Sequence, residues 1–125
     1  MILLTPELRK RLLANGRQRD VDHVPLVKFF NPLGAATWLA TELNEDGDTL
    51  FGLADLGFGC PELGAFSLTE MASVRLPLGL GIERDLWFEG TFPISVYAAA
   101  ARTAGRIVLD EDLLQATADA IRETG

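Results

Sequence analysis

Alternating apolar and polar positions predict a β-hairpin near the middle of the chain. Residues 36–43 alternate, and the turn-forming stretch 44–48 leads into a second strand over 49–56. Period two puts Leu39 and Leu43 on the same side of the first strand. The full alternation has Thr37, Leu39, Thr41 and Leu43 on one side, and Trp38, Ala40 and Glu42 on the other.

Three more segments favour strands. The apolar run 25–30 stops at Asn31-Pro32, a short strand over 65–68 follows the glycine-rich loop 57–64, and residues 82–89 alternate again. Neither glycine-rich stretch, 57–64 or 78–81, leads into a helix as a phosphate-binding loop requires. We therefore do not predict nucleotide binding.

Four segments favour helices. Thr5 caps the first, which has Pro6 at its first position and stops at Asn15-Gly16. Ser67 and Glu70 have the spacing of a capping box for a brief helix to about residue 74. The third covers 93–102, and the last begins after Asp110 with a buried stripe of Leu113, Leu114, Thr117 and Ile121. This order predicts an α+β fold, a mainly antiparallel sheet of about four to five strands with three to four short helices on one face or around its ends.

Length and composition suggest one globular domain over residues 1–125. With 125 residues, 48% of them hydrophobic, the chain can bury a core without disulfides or metal. One cysteine and one histidine exclude a disulfide framework and zinc sites built from several such ligands, and we expect no cofactor. No apolar run is long enough to span a bilayer, and no basic region precedes the short apolar start. We expect a cytoplasmic protein without a secretory signal.

Charge is unevenly distributed along the chain. The net charge is −7, with +3 in residues 1–28 and −10 in residues 29–125. An acidic body repels nucleic acid and anionic lipid, so direct binding to either is not favoured. Arg9, Lys10 and Arg11 fan around their predicted helix instead of forming one stripe.

The predicted strand 82–89 contains the most informative charges. Its alternation places Arg84 on an apolar face, where the guanidinium must reach a carboxylate or backbone carbonyls, and Asp55 or Glu62 is the expected carboxylate. Such a pair either lines an anion-binding pocket or is a structural ion pair. On the opposite face Glu83 and Asp85 are expected roughly 7 Å apart. They are either a paired-acid or divalent-cation site, or part of a solvated face.

Trp38, Trp87, His23 and Cys60 also allow two interpretations each. If the faces carrying Trp38 and Trp87 are open to solvent, the two form a protein-binding patch; if helices cover them, they are core. Cys60 and His23 could in principle be a nucleophile and base, but no signature surrounds either. The favoured interpretation is a loop-filling cysteine and an exposed loop histidine.

Several segments resemble one bacterial family that carries a domain-of-unknown-function label. They are FGLADLGFGCPELG at 51–64, LPLGLGIERDL at 76–86, LLTPEL at 3–8 and the stretch 28–43. Members of that family are similar to accessory genes of plasmids and integrative conjugative elements, often near antirestriction genes. The resemblance implies a mobile-element context and no particular reaction.

The favoured function is therefore a non-enzymatic accessory protein of mobile genetic elements. We expect it to act through an unidentified protein partner, in counter-defence or plasmid maintenance. The alternative is a small carboxylate-based enzyme, or a metal- or anion-binding protein, with a cleft near Asp55, Glu62, Glu83, Arg84 and Asp85.

Overall fold

The computed structural model describes residues 2–124, so Met1 and Gly125, the ends of the predicted domain, lie outside the described residues. The α+β prediction is confirmed. The helices are α1 (Pro6–Gly16), α2 (Leu68–Ser73), α3 (Ile94–Ala104) and α4 (Glu111–Thr124), with a 3₁₀ turn at Pro77–Gly79. The strands are β1 (Val27–Phe30), β2 (Thr37–Leu43), β3 (Thr49–Asp55), β4 (Glu62–Ser67) and β5 (Glu83–Arg84).

The five strands form one sheet in the order β4-β3-β2-β1-β5, and every neighbouring pair is antiparallel. β4 and β5 are therefore the two edges. Between β5 and β3 lie both β1 and β2. This spacing decides which of the predicted site residues can meet.

Helices cover both faces of the sheet, not one. Strand residues such as Phe29 and Leu50 pack with Leu12 of α1 and Met71 of α2 on the first face. Leu39 and Leu53 pack with Tyr97 of α3 and with Leu114 of α4 on the second. The helices were expected on one face or around the ends of the sheet; they lie on both faces, because each face carries its own apolar side chains. We call these layers the α1 core and the α3 core.

A β-bulge in β2 turns the side chains that follow it toward the opposite face of the sheet. The register with β3 shifts between Ala40 and Glu42, so Leu39 lies in the α3 core and Leu43 in the α1 core. The predicted placement of both leucines on one side is wrong, because a β-bulge breaks the period of two. Gly52 lies opposite this point: a Cβ there would be 1.8 Å from the Leu39 carbonyl oxygen.

Local signals at the helix starts are confirmed. The Thr5 side chain accepts a hydrogen bond from the Leu8 N–H at 3.1 Å, and Ser67 accepts one from Glu70 at 3.1 Å. Asp110 accepts one from Leu113 at 2.9 Å. The buried stripe of α4 is narrower than predicted, since Leu114 is the buried residue of the helix. No helix within residues 2–124 is long and apolar enough to cross a membrane.

The predicted hairpin turn at 44–48 forms, and the Asp46 carboxylate anchors it. Asp46 accepts bonds from the Asp48 and Thr49 N–H groups, both at 2.9 Å. The hydroxyl of Thr49, followed by these N–H groups, holds the pKa of Asp46 below its usual 3.8. Gly47 takes the left-handed conformation that the turn requires, with φ of 73°.

Two strands differ in length from their predictions. β4 begins at Glu62, not at residue 65, because pairing along β3 extends it through Gly64 despite glycine's poor strand preference. The predicted strand 82–89 is reduced to Glu83–Arg84. Beyond it the chain enters a turn.

Candidate functional site

The seven predicted site residues do not form one site. Strand order separates them into a group at β3 and β4, a group at β5 and one tryptophan in the middle of the sheet. The first group is Asp55 and Glu62, the second is Glu83, Arg84, Asp85 and Trp87, and the tryptophan in the middle of the sheet is Trp38. The alternative function required one cleft that all five charged residues share. The prediction of such a cleft is therefore wrong.

Asp55 uses its carboxylate to hold backbone. It is 4% exposed, and its two oxygens accept hydrogen bonds from the Gly57 N–H at 2.9 Å and the Ile107 N–H at 3.0 Å. These bonds fix the loop after β3 and join it to the segment after α3. Glu62 is exposed at the start of β4, where it borders a hollow of about 220 Å³ lined also by Phe58 and Cys60.

Arg84 pairs with Phe29 on the face of Ile82, as its alternation predicts, but the two predicted carboxylate partners are wrong. One guanidinium nitrogen donates to the carbonyl oxygens of Ile2 at 3.0 Å and Leu3 at 2.9 Å. Neither Asp55 nor Glu62 can reach it, since β1 and β2 lie between β5 and β3. The acceptors seen here are backbone carbonyls, which the sequence left open as the alternative to a carboxylate.

A cleft of about 310 Å³ lies beside β5 on the opposite face of the sheet. Phe30 pairs with Glu83, and the Lys28 carbonyl accepts the Asp85 N–H at 2.9 Å. Because paired residues project to the same face, these four side chains share the cleft. Arg84, Leu86 and Trp87 complete its lining, and we call it the β5 cleft.

An ion pair crosses the floor of the β5 cleft. Lys28 Nζ lies 3.4 Å from Asp85 Oδ2, with about a quarter of each side chain exposed (22% and 27%). The same nitrogen is 5.7 Å from the centre of the Phe30 ring, within cation–π range. The lysine is therefore held in place by two neighbours. Glu83 adds a second carboxylate to the lining.

Asp85 also explains why the strand stops. Its Oδ1 accepts the Trp87 N–H at 2.9 Å, a side-chain bond to backbone two residues on that forms a turn in place of a strand ladder. Leu86 and Trp87 lie in this turn and are 64% and 93% exposed. The turn presents the indole ring at the rim of the cleft.

Trp38 lies elsewhere. It pairs with Phe29 on one side and Ala54 on the other, and it packs half-buried against the α1 core. Of the two interpretations left open, the joint patch of Trp38 and Trp87 does not form, because helices cover the face that Trp38 occupies while Trp87 lies on a turn.

His23 is buried, so the prediction of an exposed loop histidine is wrong. Its ring Nε2 is 2.7 Å from the Gln18 carbonyl oxygen, and its own carbonyl accepts the Ile94 N–H at 2.8 Å. The loop after α1 therefore packs on the start of α3 and encloses the ring. Cys60 is exposed near the end of the loop between β3 and β4, and nothing in its contacts couples it to His23.

The basic amino-terminal region pairs with the acidic hairpin. Arg17 Nε is 3.3 Å from a Glu45 oxygen, and Arg19 Nε is 3.7 Å from an oxygen of Glu42, whose side chain is 7% exposed. Part of the positive charge near the amino end is thus matched by neighbouring carboxylates.

In the part of the chain that the structure describes, no three His, Cys, Asp or Glu side chains form a group placed to hold a metal ion.

Sequence reasoning missed Lys28 and Phe30 as members of the cleft. Their signal was present: in the run 27–30 a lysine lies between Val27 and Phe29, which indicates that positions 28 and 30 share the other face. The partner strand could not be inferred from this pattern. Chemically, the cleft offers one exposed aromatic ring, a fixed ion pair and a second carboxylate.

Residues 3–108 match a family model described as a protein of unknown function, DUF2958. The matched range includes the whole sheet and the β5 cleft, and α4 lies beyond it. No curated protein and no solved structure matches the chain.

Proposed function

We propose that this chain, which belongs to the DUF2958 family of proteins of unknown function, is a single-domain, cytoplasmic, non-enzymatic accessory protein that binds a protein partner through the β5 cleft. The observation that carries the proposal is the exposure of Trp87, at 93%. Tryptophan is a frequent anchor residue in protein interfaces, where a few such side chains supply most of the binding energy.

The geometry around Trp87 supports an interface because the turn fixes the backbone of this residue before any partner arrives. The Asp85 carboxylate accepts the Trp87 N–H and contacts Lys28 at the same time. A turn whose backbone is already ordered loses less conformational entropy on binding. Leu86, 64% exposed in the same turn, extends the apolar surface.

The charges of the cleft indicate the chemistry of the partner. Glu83 lines the cleft beside Phe30, and the chain as a whole carries −7. The fitting partner presents an apolar pocket for the indole ring and a basic side chain for Glu83. Charge complementarity of this kind raises the rate of association and excludes acidic competitors.

The biological setting of the proposal comes from the resemblance alone. The segments at 51–64 and 76–86 resemble accessory proteins of plasmids and integrative conjugative elements. On that basis the partner is a protein met in counter-defence or plasmid maintenance. The separation of Asp55 and Glu62 from Glu83 and Asp85 supports this function over a carboxylate-based enzyme or an anion-binding protein.

A pull-down from a bacterial host lysate with matched variants tests the proposal. Phe58 is an exposed aromatic residue (82%) in a different loop, so Phe58→Ala is the control for Trp87→Ala. We expect the wild type and Phe58→Ala to retain the same partner, and Trp87→Ala to retain it roughly thirtyfold less tightly, the loss of about 2 kcal/mol typical of an interface anchor.

Equal retention by all three proteins would overturn the proposal. So would the absence of any partner above an unrelated acidic protein of the same size. Because Trp87 is almost fully exposed, the thermal midpoint of Trp87→Ala should match that of the wild type, which separates lost binding from lost folding.

A further inference from the structure

The two edges of the sheet are protected very differently. β5 is two residues long, and short edge strands resist pairing with other chains. β4 has six residues, Glu62–Ser67, and pairs with β3 without a register shift. It contains no lysine, no proline and no bulge, the devices that usually block an edge, and Glu62 is its single charge.

The backbone of β4 offers its unpaired groups at alternate residues. The Leu68 N–H donates to the Asp48 carbonyl at 2.9 Å, and the register pairs Thr49 with Ser67. Since hydrogen-bonded and non-bonded pairs alternate along an antiparallel ladder, Phe66, Gly64 and Glu62 bond to β3. The N–H and C=O groups of Leu63, Ala65 and Ser67 therefore point away from the sheet.

We propose that β4 pairs antiparallel with β4 of a second copy of this chain, with Gly64 at the two-fold axis, to form a continuous ten-stranded sheet. In this register Leu63 faces Ala65 of the second copy, and both members of each such pair have outward-pointing backbone groups, as an antiparallel ladder requires. The interface is isologous, the usual form for a homodimer.

The ends of the strand fit the same register. Ser67 lies opposite Pro61 of the second copy, where one hydrogen bond forms, from the Ser67 N–H to the Pro61 carbonyl. The reverse bond, from Pro61 to the Ser67 carbonyl, is not needed. Pro61 has no N–H to donate. Ser67 is the N-cap of α2, and its carbonyl accepts the first hydrogen bond of that helix.

Side chains and charges also fit a second copy. A Cβ at Gly64 would meet nothing within 4 Å, so the strand is open where the two copies approach most closely. Phe66, half-buried against the α1 core, lies diagonally across from Gly64 of the second copy and covers that space. The two Glu62 carboxylates lie about 14 Å apart along the strands, at 3.4 Å per residue, so like charges do not meet.

Sedimentation equilibrium of the wild type and of two lysine variants tests the dimer. Gly64→Lys places two ammonium groups opposite each other at the axis, and the open space leaves the monomer fold unstrained. Ala104→Lys, at the exposed end of α3, makes the same charge change away from β4. We expect the wild type and Ala104→Lys to sediment at twice the chain mass of 13.6 kDa, and Gly64→Lys to dimerise about tenfold or more weakly.

A wild type that stays at 13.6 kDa up to high micromolar concentration overturns the proposal, as does a dimer that Gly64→Lys leaves as tight as Ala104→Lys. Gly64→Cys in a Cys60→Ser background gives a second readout. Opposed cysteines at a non-hydrogen-bonded pair, with Cα atoms about 4.5 Å apart, should form a disulfide-linked dimer on mild oxidation. Failure to cross-link would exclude Gly64 from the axis.

Discussion

A single carboxylate, Asp48, joins the central hairpin to the start of α2. One oxygen accepts the Thr69 N–H at 2.7 Å together with the Thr69 hydroxyl, and the other accepts the Ser67 hydroxyl at 2.8 Å. The Thr69 hydroxyl is the largest cause that lowers the pKa of Asp48 below 3.8, followed by the Thr69 N–H and Ser67. The helix start is thereby fixed by a residue twenty positions away in the chain.

The lowered pKa of Asp48 predicts a loss of stability in acid. In the folded protein the carboxylate binds a proton less readily than in the unfolded chain, so its contribution is full above pH 3.8. It declines as the pH falls through the folded-state pKa. We expect Asp48→Asn to lower the thermal midpoint at pH 7, and the gap to the wild type to narrow toward pH 3.

Thermal unfolding followed by circular dichroism from pH 7 to pH 3 measures this effect. Asp20→Asn, which removes a carboxylate from the exposed loop after α1, is the control for the change in net charge. A gap between Asp48→Asn and the wild type that stays constant over the whole range would contradict the prediction.

At the scale of elements, the bulge in β2 and the glycine opposite it act together. The shift between Ala40 and Glu42 brings the Leu39 carbonyl over Gly52, where a Cβ would lie 1.8 Å from the oxygen. Backbone cannot move aside as a side chain can. The bulge therefore requires glycine at this position of β3.

We expect Gly52→Ala to lower the free energy of unfolding by about 3 kcal/mol, the upper end of the usual cost of overpacking. Urea denaturation in dilute solution measures it. Gly64→Ala is the matched control, since nothing lies within 4 Å of its added methyl group, and its effect should stay within about 0.5 kcal/mol. Equal losses for the two variants would show that the close approach at Gly52 does not exist.

The elements also show which features a sequence reveals. The helix starts at Thr5 and Ser67 and the turn at 44–48 were predictable because their hydrogen bonds join residues at most five positions apart. The partner of Arg84 was not, because it depends on strand order, which brings residues 2–3 beside β5. The end of β5 was missed because the Asp85 side chain competes with the ladder for the backbone.

At the scale of the whole molecule, the two cores share the same sheet. Neighbouring residues of β2 and β3 pack on opposite faces of the sheet. For example, Leu39 lies in the α3 core and Ala40 lies in the α1 core. Asp55 adds a bond from β3 to the segment after α3. Loss of either core removes one side of the strands that support the other, so the two layers should unfold together.

Leu114→Ala tests this coupling. Leu114 is 1% exposed in the α3 core, and its truncation should cost about 2–5 kcal/mol. In a Trp87→Phe background, fluorescence reports Trp38, which packs against the other core. We expect the Trp38 transition to shift to lower urea with Leu114→Ala and to coincide with the transition seen by circular dichroism.

An unchanged Trp38 midpoint would instead mean that α3 and α4 unfold separately from the rest.

The candidate site belongs to this scale as well. Lys28 and Asp85 lie 57 positions apart and meet because β1 and β5 are neighbours. The sequence therefore contains both halves of the cleft but no local signal that joins them.

The turn at 86–87 has a consequence for how such a protein can diversify. Leu86 and Trp87 belong to neither core, and Asp85 shapes the turn through a backbone N–H that almost every amino acid supplies. Substitutions at these two positions can therefore accumulate with little penalty to folding. In natural selection or in a combinatorial library, the binding specificity of this turn can therefore change while the fold is retained.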